Sequence, residues 1–153
     1  MKVYRIAKAK YIDDLSGTGA RLYGGRWNNK GIGIIYTSET RALATVEYLV
    51  HVSLSMMPKD ICIATLEIPD SITAKEILIP DLPANWRSFP APLELSRLGT
   101  DWALGKETLL LRVPSVVVEH EFNILINPSH PDIKHVVISR IENYRFDNRL
   151  IKT

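Results

Sequence analysis

The sequence has 153 residues, of which 46% are hydrophobic and 24% charged, with a mass of 17.3 kDa. These values are ordinary for a globular protein and predict one domain over 1–153, long enough to bury a core without disulfides or structural metal. The net charge of +2 lacks the clustered basic character of a nucleic-acid binder, so we expect no direct nucleic-acid contact.

Cysteine content and hydropathy indicate the compartment. Cys62 is the only cysteine, which excludes a disulfide-stapled secreted fold. No apolar run approaches the roughly 20 residues that cross a bilayer, and the first residues lack the apolar segment of a signal peptide. The sequence therefore predicts a cytoplasmic protein without a membrane partner.

The first forty residues combine a short strand with two glycine-bearing loops. Residues 2–9 are strand-like, 13–20 carry turn chemistry, and 23–31 form a second irregular stretch. Glycine is common where the backbone needs positive φ or a close approach. We expect this region to shape a cleft.

A strand and a helix follow, and they bring a carboxylate to that region. Residues 33–37 are typical of a buried strand, and Ser38 is a candidate N-cap for a helix over 39–52. Glu47 lies about 100° from the centre of the helix's apolar stripe, at the lip of the expected cleft. The stripe consists of Ala42, Leu43, Val46, Leu49 and Val50.

The second half is predicted to be strand-rich. Four prolines between 80 and 92 predict an ordered loop. Residues 93–104, interrupted by Gly99, are predicted to form a short helix or a helix and a turn. Strands are predicted at 60–68, 74–79, 109–113, 116–118, 122–126 and 133–138. An α+β fold with a central strand-rich core flanked by helices fits this order best.

The sequence lacks the motifs of several enzyme classes. Both candidate G-x-G-x-x-G segments, at 17–22 and 31–36, lack the third glycine, and neither a P-loop, H-E-x-x-H, G-x-S-x-G nor C-x-x-C is present. The four histidines have no metal-ligand spacing with Cys62, so no metal site is expected. A Ser-His-Asp triad is recognised by geometry and has no positive support here.

Several separate blocks, in order along almost the whole chain, resemble the RES domain family. That family comprises the toxins of bacterial RES–Xre type II toxin–antitoxin pairs. The blocks are Gly19-Ala20, Gly24 to Asn28, Tyr36-Thr37-Ser38, Ala42-Leu43-Ala44 with Glu47, Arg112 to Ser115, Asn123 to Pro128 and His130-Pro131-Asp132.

The resemblance implies an ADP-ribosyltransferase-like fold that binds NAD as substrate and breaks its nicotinamide–ribose bond. It also implies an Xre-type antitoxin as inhibitory partner, and it leaves open a homodimer within that complex. The family's arginine corresponds to Arg26, its tyrosine to Tyr36, its glutamate to Glu47 and its serine to Ser115.

The chemistry of these residue types fits that implication. Glu47 would stabilise the oxocarbenium-like transition state of glycosidic cleavage, whereas the alternative is a solvated glutamate on a helix face. Arg26 is expected to make bidentate bonds to the pyrophosphate, with Arg5 as a second phosphate contact, and the alternative is a surface arginine.

Tyr36 and Ser115 complete the candidate site. Tyr36 would pack against nicotinamide, or serve only as a core tyrosine. Ser115 would hydrogen-bond the ribose or the glutamate, or satisfy its own turn. Trp27 and His130 are expected to be structural, and the basic residues near the end (Arg140, Arg145, Arg149, Lys152) an ordinary solvated face.

Three functions remain open at this point. The first is a toxin that depletes NAD by hydrolysis or phosphorolysis, and the second an ADP-ribosyltransferase that modifies a protein. Both would use Arg26, Tyr36 and Glu47 as catalytic residues, so the sequence does not separate them. The third is a non-catalytic regulatory module that binds nucleic acid, which the modest net charge disfavours.

Overall fold

A computed structural model describes residues 1–151, apart from the side chain of Leu54. The strands in the described residues are β1 (Lys2–Lys8), β2 (Ile35–Ser38), β3 (Ile61–Glu67), β4 (Ala74–Glu76), β5 (Leu110–Pro114), β6 (Phe122–Ile126) and β7 (Val137–Asn143). They form one mixed sheet with the order β4-β5-β6-β2-β1-β3-β7, and within residues 1–151 only the β4/β5 pair is parallel.

In the part of the chain that the structure describes, three α-helices accompany the sheet: α1 (Thr18–Tyr23), α2 (Arg41–Leu49) and α3 (Leu93–Gly105). Short 3₁₀ turns occupy Leu54–Met56, Ile79–Asp81, Pro131–His135 and Asn148–Ile151. The predicted α+β class with a strand-rich core and flanking helices is confirmed. No helix in the described residues is both long and apolar enough to span a bilayer.

Two apolar clusters fill the core, and the alternation of side chains along the strands separates them. Leu110, Ile124 and Ile126 belong to one cluster, whereas their neighbours Leu111 and Leu125 belong to the other. The second cluster also takes Trp27 from the N-terminal loop and Trp102 from α3. The prediction that Trp27 packs in the core is therefore confirmed.

Several predicted boundaries are wrong. Helix α2 begins at Arg41, and its cap is Thr40, whose side chain accepts a hydrogen bond from the Leu43 N–H. Ser38 is the last residue of β2 instead, because β2 continues its pairing with β6 up to Asn123. Ala42, predicted for the apolar stripe, is exposed.

The second half also departs from prediction at two segments. Residues 116–118 form the loop between β5 and β6, because the N–H groups of Val117 and Val118 donate to the Ser115 hydroxyl instead of a neighbouring strand. Residues 133–135 lie in a 3₁₀ turn that His130 caps by accepting from the Asp132 N–H. His130 is thus structural, as predicted.

Two further differences concern helices. Helix α3 runs through Gly99 without interruption, and α1 occupies part of the region predicted as turns. Arg140, Arg145 and Arg149 are exposed, as expected for a solvated face. Lys152 lies outside the described residues.

Candidate active site

A cleft of about 1250 Å³ lies on the face of the sheet that carries Tyr36, Ser38 and Asn123. The sheet and α2 form one wall, which we call the sheet wall. The loop 24–31 and the proline-rich segment 83–92 form the other, which we call the loop wall. Four cationic side chains line the described cleft (Arg5, Arg26, Lys30 and Arg87), and Glu47 is its one carboxylate.

Glu47 projects from α2 and is held by two hydrogen bonds to the same oxygen. Ser115 Oγ donates to Oε1 at 2.8 Å, and Asn123 Nδ2 donates to it at 2.6 Å. Among the described residues nothing donates to Oε2. One carboxylate oxygen is therefore anchored, and the other is left available in a side chain that lines the cleft.

Ser115 lies behind Glu47, immediately after β5. Its side chain is 2% exposed, and its hydroxyl accepts from the Val117 and Val118 N–H groups while donating to Glu47. Two of the roles that the sequence left open for Ser115 are therefore both observed: its hydroxyl satisfies the local turn, and it also binds Glu47. Its role as a contact for NAD stays a prediction.

Arg26 lies in the loop wall and bridges to the proline-rich segment. Its Nη1 donates to the Trp86 carbonyl at 2.8 Å, and its Nη2 to the Ser88 carbonyl at 3.2 Å. Burial lowers the pKa of Arg26, and the negative charge of Glu47 opposes that shift. Arg26 therefore seats the proline-rich segment as well as facing the cleft.

Tyr36 crosses from the sheet to the loop wall. Its hydroxyl donates to Asn28 Oδ1 at 2.6 Å and accepts from the Trp27 N–H at 3.2 Å. Burial raises the pKa of Tyr36 well above its usual value, so the phenol stays protonated. A side chain at Gly25 would place its Cβ 2.8 Å from the Tyr36 hydroxyl, which explains the glycine there.

Asn28 organises the loop wall, although the sequence analysis names it only as part of the family resemblance. Its side chain is 1% exposed. Its Nδ2 group lies within hydrogen-bond distance of the Ala20 and Ile32 carbonyls, at 2.8 and 3.0 Å, while Oδ1 accepts from Tyr36. A buried amide with this many partners fixes the shape of its loop.

Helix α3 supports the same loop from behind. The Thr100 hydroxyl accepts from the Asn29 N–H at 2.9 Å. A Cβ added to Gly99 would lie 1.8 Å from the Trp27 carbonyl oxygen, so only glycine allows this approach. The sequence predicts an interruption at Gly99 because this contact with Trp27 is distant in the chain and leaves no local signal.

Arg5 lines the cleft from β1. Its Nη1 donates to the Asp14 carbonyl at 2.5 Å, and burial lowers its pKa, opposed by Asp14 and Asp13. The fold thus brings Arg5, Arg26, Tyr36 and Glu47 to one cleft, with Ser115 behind it. No group of three His, Cys, Asp or Glu side chains in the described chain could hold a metal ion.

Asn123 is a site residue that received no individual role from the sequence. It interrupts an otherwise apolar strand, and a polar side chain at such a position usually has a partner. That partner is Glu47, 76 residues earlier.

Comparison with known proteins identifies the family. The RES domain model matches residues 2–147, and the chain belongs to the RES domain family. It is 40% identical over 148 residues to the "Prs ADP-ribosylating toxin" of Sphingobium sp. (strain YBL2), covering 95% of this chain and 92% of that protein.

A second relative and a solved structure also match nearly the whole chain. The chain is 39% identical to "Toxin Res" of Yersinia enterocolitica serotype O:8 / biotype 1B, covering 98% of this chain and 99% of that protein. It also superposes on a chain of the M. tuberculosis MbcT-MbcA toxin-antitoxin complex with a TM-score of 0.72 at 17% identity. That match covers 98% of this chain and 86% of the other, and it shows a shared fold.

Proposed function

We propose that this chain is a single RES domain acting as the toxin of a bacterial type II toxin–antitoxin pair. In the proposed reaction it binds NAD and cleaves the nicotinamide–ribose bond, depleting the cell of NAD by hydrolysis or phosphorolysis in the cytoplasm. The observation that carries the proposal is Glu47, with one oxygen anchored and the other available in a cationic cleft.

Charge supports a dinucleotide substrate. The pyrophosphate of NAD carries two negative charges, and four cations line the cleft against one carboxylate. A guanidinium has five N–H donors, so the two bonds from Arg26 to backbone carbonyls leave others for a phosphate oxygen. Arg5 lies in the same lining and is the proposed second phosphate contact.

The proposed chemistry places positive charge next to Glu47. As the bond between C1′ and nicotinamide breaks, nicotinamide leaves with the electron pair and the ribose becomes oxocarbenium-like. The Oε2 atom would hydrogen-bond a ribose hydroxyl and stabilise this charge. Water or phosphate then attacks C1′ and releases a proton, giving ADP-ribose or its 1″-phosphate. A preorganised group of this kind contributes roughly 3 kcal/mol.

Tyr36 would contribute shape to this reaction. Its ring lines the cleft, where a flat nicotinamide can pack against it. Its protonated hydroxyl is already bonded to Asn28, so we assign it no role in proton transfer. Tyr36→Phe keeps the ring and removes the bonds to Asn28 and to the Trp27 N–H, so we expect it to weaken NAD binding through the loop wall and to leave kcat largely unchanged.

A second candidate is transfer of ADP-ribose to a protein. The 40% identical Sphingobium relative is named an ADP-ribosylating toxin, and the same cleft would serve both reactions until the acceptor enters. Radiolabel from adenylate-labelled NAD that becomes bound to protein in a cell extract would favour transfer. Free ADP-ribose or its 1″-phosphate would favour NAD depletion.

The rim of the cleft supports a protein partner. Four apolar side chains there are 57–89% exposed: Tyr23, Val50, Phe89 and Leu93. Exposed apolar clusters mark binding surfaces, and we propose that an Xre-type antitoxin covers this rim. Co-purification with such a protein should be lost in Phe89→Glu, whereas Met56→Glu, exposed to 78% outside the cleft, should retain it.

The decisive experiment measures nicotinamide release from NAD by the purified chain, with and without phosphate. Glu47→Gln is expected to lower kcat about 100-fold or more, whereas Glu107→Gln, an exposed carboxylate paired with Lys75, should not. If the folded, antitoxin-free chain binds NAD but releases no nicotinamide, the transferase alternative replaces this proposal. Failure to bind NAD would overturn both.

A further inference from the structure

A chain of side-chain hydrogen bonds reaches Glu47 from the sheet. The register of β2 and β6 places Ser38 directly opposite Asn123. Ser38 Oγ lies 2.7 Å from Asn123 Oδ1, and Asn123 Nδ2 lies 2.6 Å from Glu47 Oε1. The order of the chain is therefore hydroxyl, amide, carboxylate.

The direction of this chain follows from its chemistry. An ionised carboxylate only accepts, so Asn123 must turn its NH₂ group toward Glu47 and its oxygen toward Ser38. Ser38 then has to donate, and the residue is only 4% exposed, which leaves little access for water to replace it. Without the Ser38 hydroxyl, the amide is free to turn its oxygen toward the carboxylate and repel it.

We infer that Ser38 and Asn123 are positioning residues that orient the Glu47 carboxylate for its reaction. The inference rests on the proposed function of Glu47. Asn123 and Ser115 together saturate Oε1, so the carboxylate is fixed in rotation and Oε2 is directed to the substrate. Ser38 acts one step further back, by setting which end of the Asn123 amide faces Glu47.

The sharpest test compares two substitutions at Asn123. Asn123→Ala removes the donor, whereas Asn123→Asp keeps the shape but places a second carboxylate against Glu47. We expect Asn123→Asp to lower kcat for nicotinamide release at least as much as Asn123→Ala, by about 10- to 100-fold, with KM for NAD changed less than about threefold. Asn143→Asp, the same change on β7, should leave kcat unchanged.

If Asn123 contributed only its shape, the kcat losses of the two variants would rank in the opposite order. The nearly isosteric Asn123→Asp would then be milder than Asn123→Ala, and that result would overturn the inference. Urea unfolding of both variants separates loss of fold from loss of positioning, because kcat is compared only between samples that remain folded at the assay temperature.

Substitutions at Ser38 test the second step. Ser38→Ala should lower kcat by about 3- to 10-fold, and Ser38→Thr, which keeps the hydroxyl, should restore most of it. Adding Ser38→Ala to Asn123→Ala should cost nothing further, because the two residues act through one contact. Ser139→Ala, which removes a hydroxyl between β7 and β3, is the matched control. Additive losses would overturn the assignment.

A readout independent of turnover completes the test. In the wild-type chain the Asn123 side-chain NH₂ should exchange slowly with solvent by NMR, and in Ser38→Ala it should exchange faster. Fast exchange in the wild type overturns the inference even if NAD is cleaved. Slow exchange in a chain that releases no nicotinamide overturns the proposed function and leaves the hydrogen-bond chain intact.

Discussion

The two walls of the cleft are built by different means. In the sheet wall, Ser38, Asn123 and Glu47 lie on two strands and a helix, and side chains bond to side chains. In the loop wall, Arg26 and Asn28 bond mainly to backbone carbonyls of irregular segments. Regular elements thus fix the carboxylate, whereas the cationic side depends on loops that hold one another.

This difference predicts where the molecule is sensitive. A change in the sheet wall should alter activity more than stability, as the tests at Ser38 and Asn123 require. A change behind the loop wall should first alter stability, since the loop's conformation is maintained by a few buried contacts.

The largest effect is expected at Gly99. Gly99→Val would drive a side chain into the Trp27 carbonyl and push the loop wall away from α3, lowering the free energy of unfolding by about 3 kcal/mol. Urea unfolding measures it. Gly105→Ala, in the same helix with no heavy atom within 4 Å of the added Cβ, should be neutral or slightly stabilising. Equal effects at the two glycines would contradict the packing argument.

Asn28 should be next in magnitude. Asn28→Ala leaves the Ala20 and Ile32 carbonyls and the Tyr36 hydroxyl without this partner, at a cost of about 2 kcal/mol in unfolding free energy. NAD affinity, measured by calorimetric titration, should fall as well. Asn29→Ala, an exposed neighbour, should change stability by less than about 0.5 kcal/mol. A stable Asn28→Ala variant with normal affinity would show that the loop is held by other contacts.

Burial of the Tyr36 phenol is expected to make the stability of the fold depend on pH. Burial raises the pKa of Tyr36 in the folded state above the ordinary value of 10.0, so the unfolded chain loses this proton first. The stabilising contribution is fully present below about pH 10 and is lost as pH rises beyond it. The stability difference between wild type and Tyr36→Phe should therefore shrink in urea unfolding at pH 10.5 relative to pH 8.

The control for that measurement is Tyr23→Phe, which changes a side chain that is 79% exposed. Its difference from the wild type should stay constant between the two pH values. A constant difference for Tyr36→Phe too would mean that the Tyr36 hydroxyl ionises in the fold as easily as in the unfolded chain.

The smallest effect is expected where the proline-rich segment meets the opposite loop. Arg87 pairs with Glu119 at 2.7 Å, but both side chains are substantially exposed. Glu119→Ala should lower the free energy of unfolding by less than about 0.5 kcal/mol, and less still at high salt. A loss above 1 kcal/mol, measured by urea unfolding, would contradict this and show that the exposed ion pair anchors the proline-rich segment.

Most strands and the long helix α3 could be predicted because their signals are local. The alternation in 60–68 and 122–126 corresponds closely to β3 and β6, and apolar spacing located α3. The predicted boundaries are wrong where a contact with a residue far along the chain determines the local structure. Ser38 has the chemistry of an N-cap, yet pairing with Asn123 keeps it in β2, and Thr40 caps α2 instead.

The candidate site divides in the same way. Residue chemistry and the family resemblance selected Arg5, Arg26, Tyr36, Glu47 and Ser115 without any coordinates. Their partners were beyond sequence reasoning, because hydrogen bonds such as Ser115 to Glu47 and Arg26 to Trp86 span 68 and 60 residues. Spacing along the chain carries no information about such contacts.

By itself, the sequence determined the α+β class, the family and the residue types of the reaction, since periodicity, turn chemistry and motif blocks are written locally. Only the tertiary structure decided that one oxygen of Glu47 is anchored and the other available, and that Gly99 must lack a side chain. These features depend on strand register and on the packing of α3 against the loop, which set distances between residues far apart in the chain.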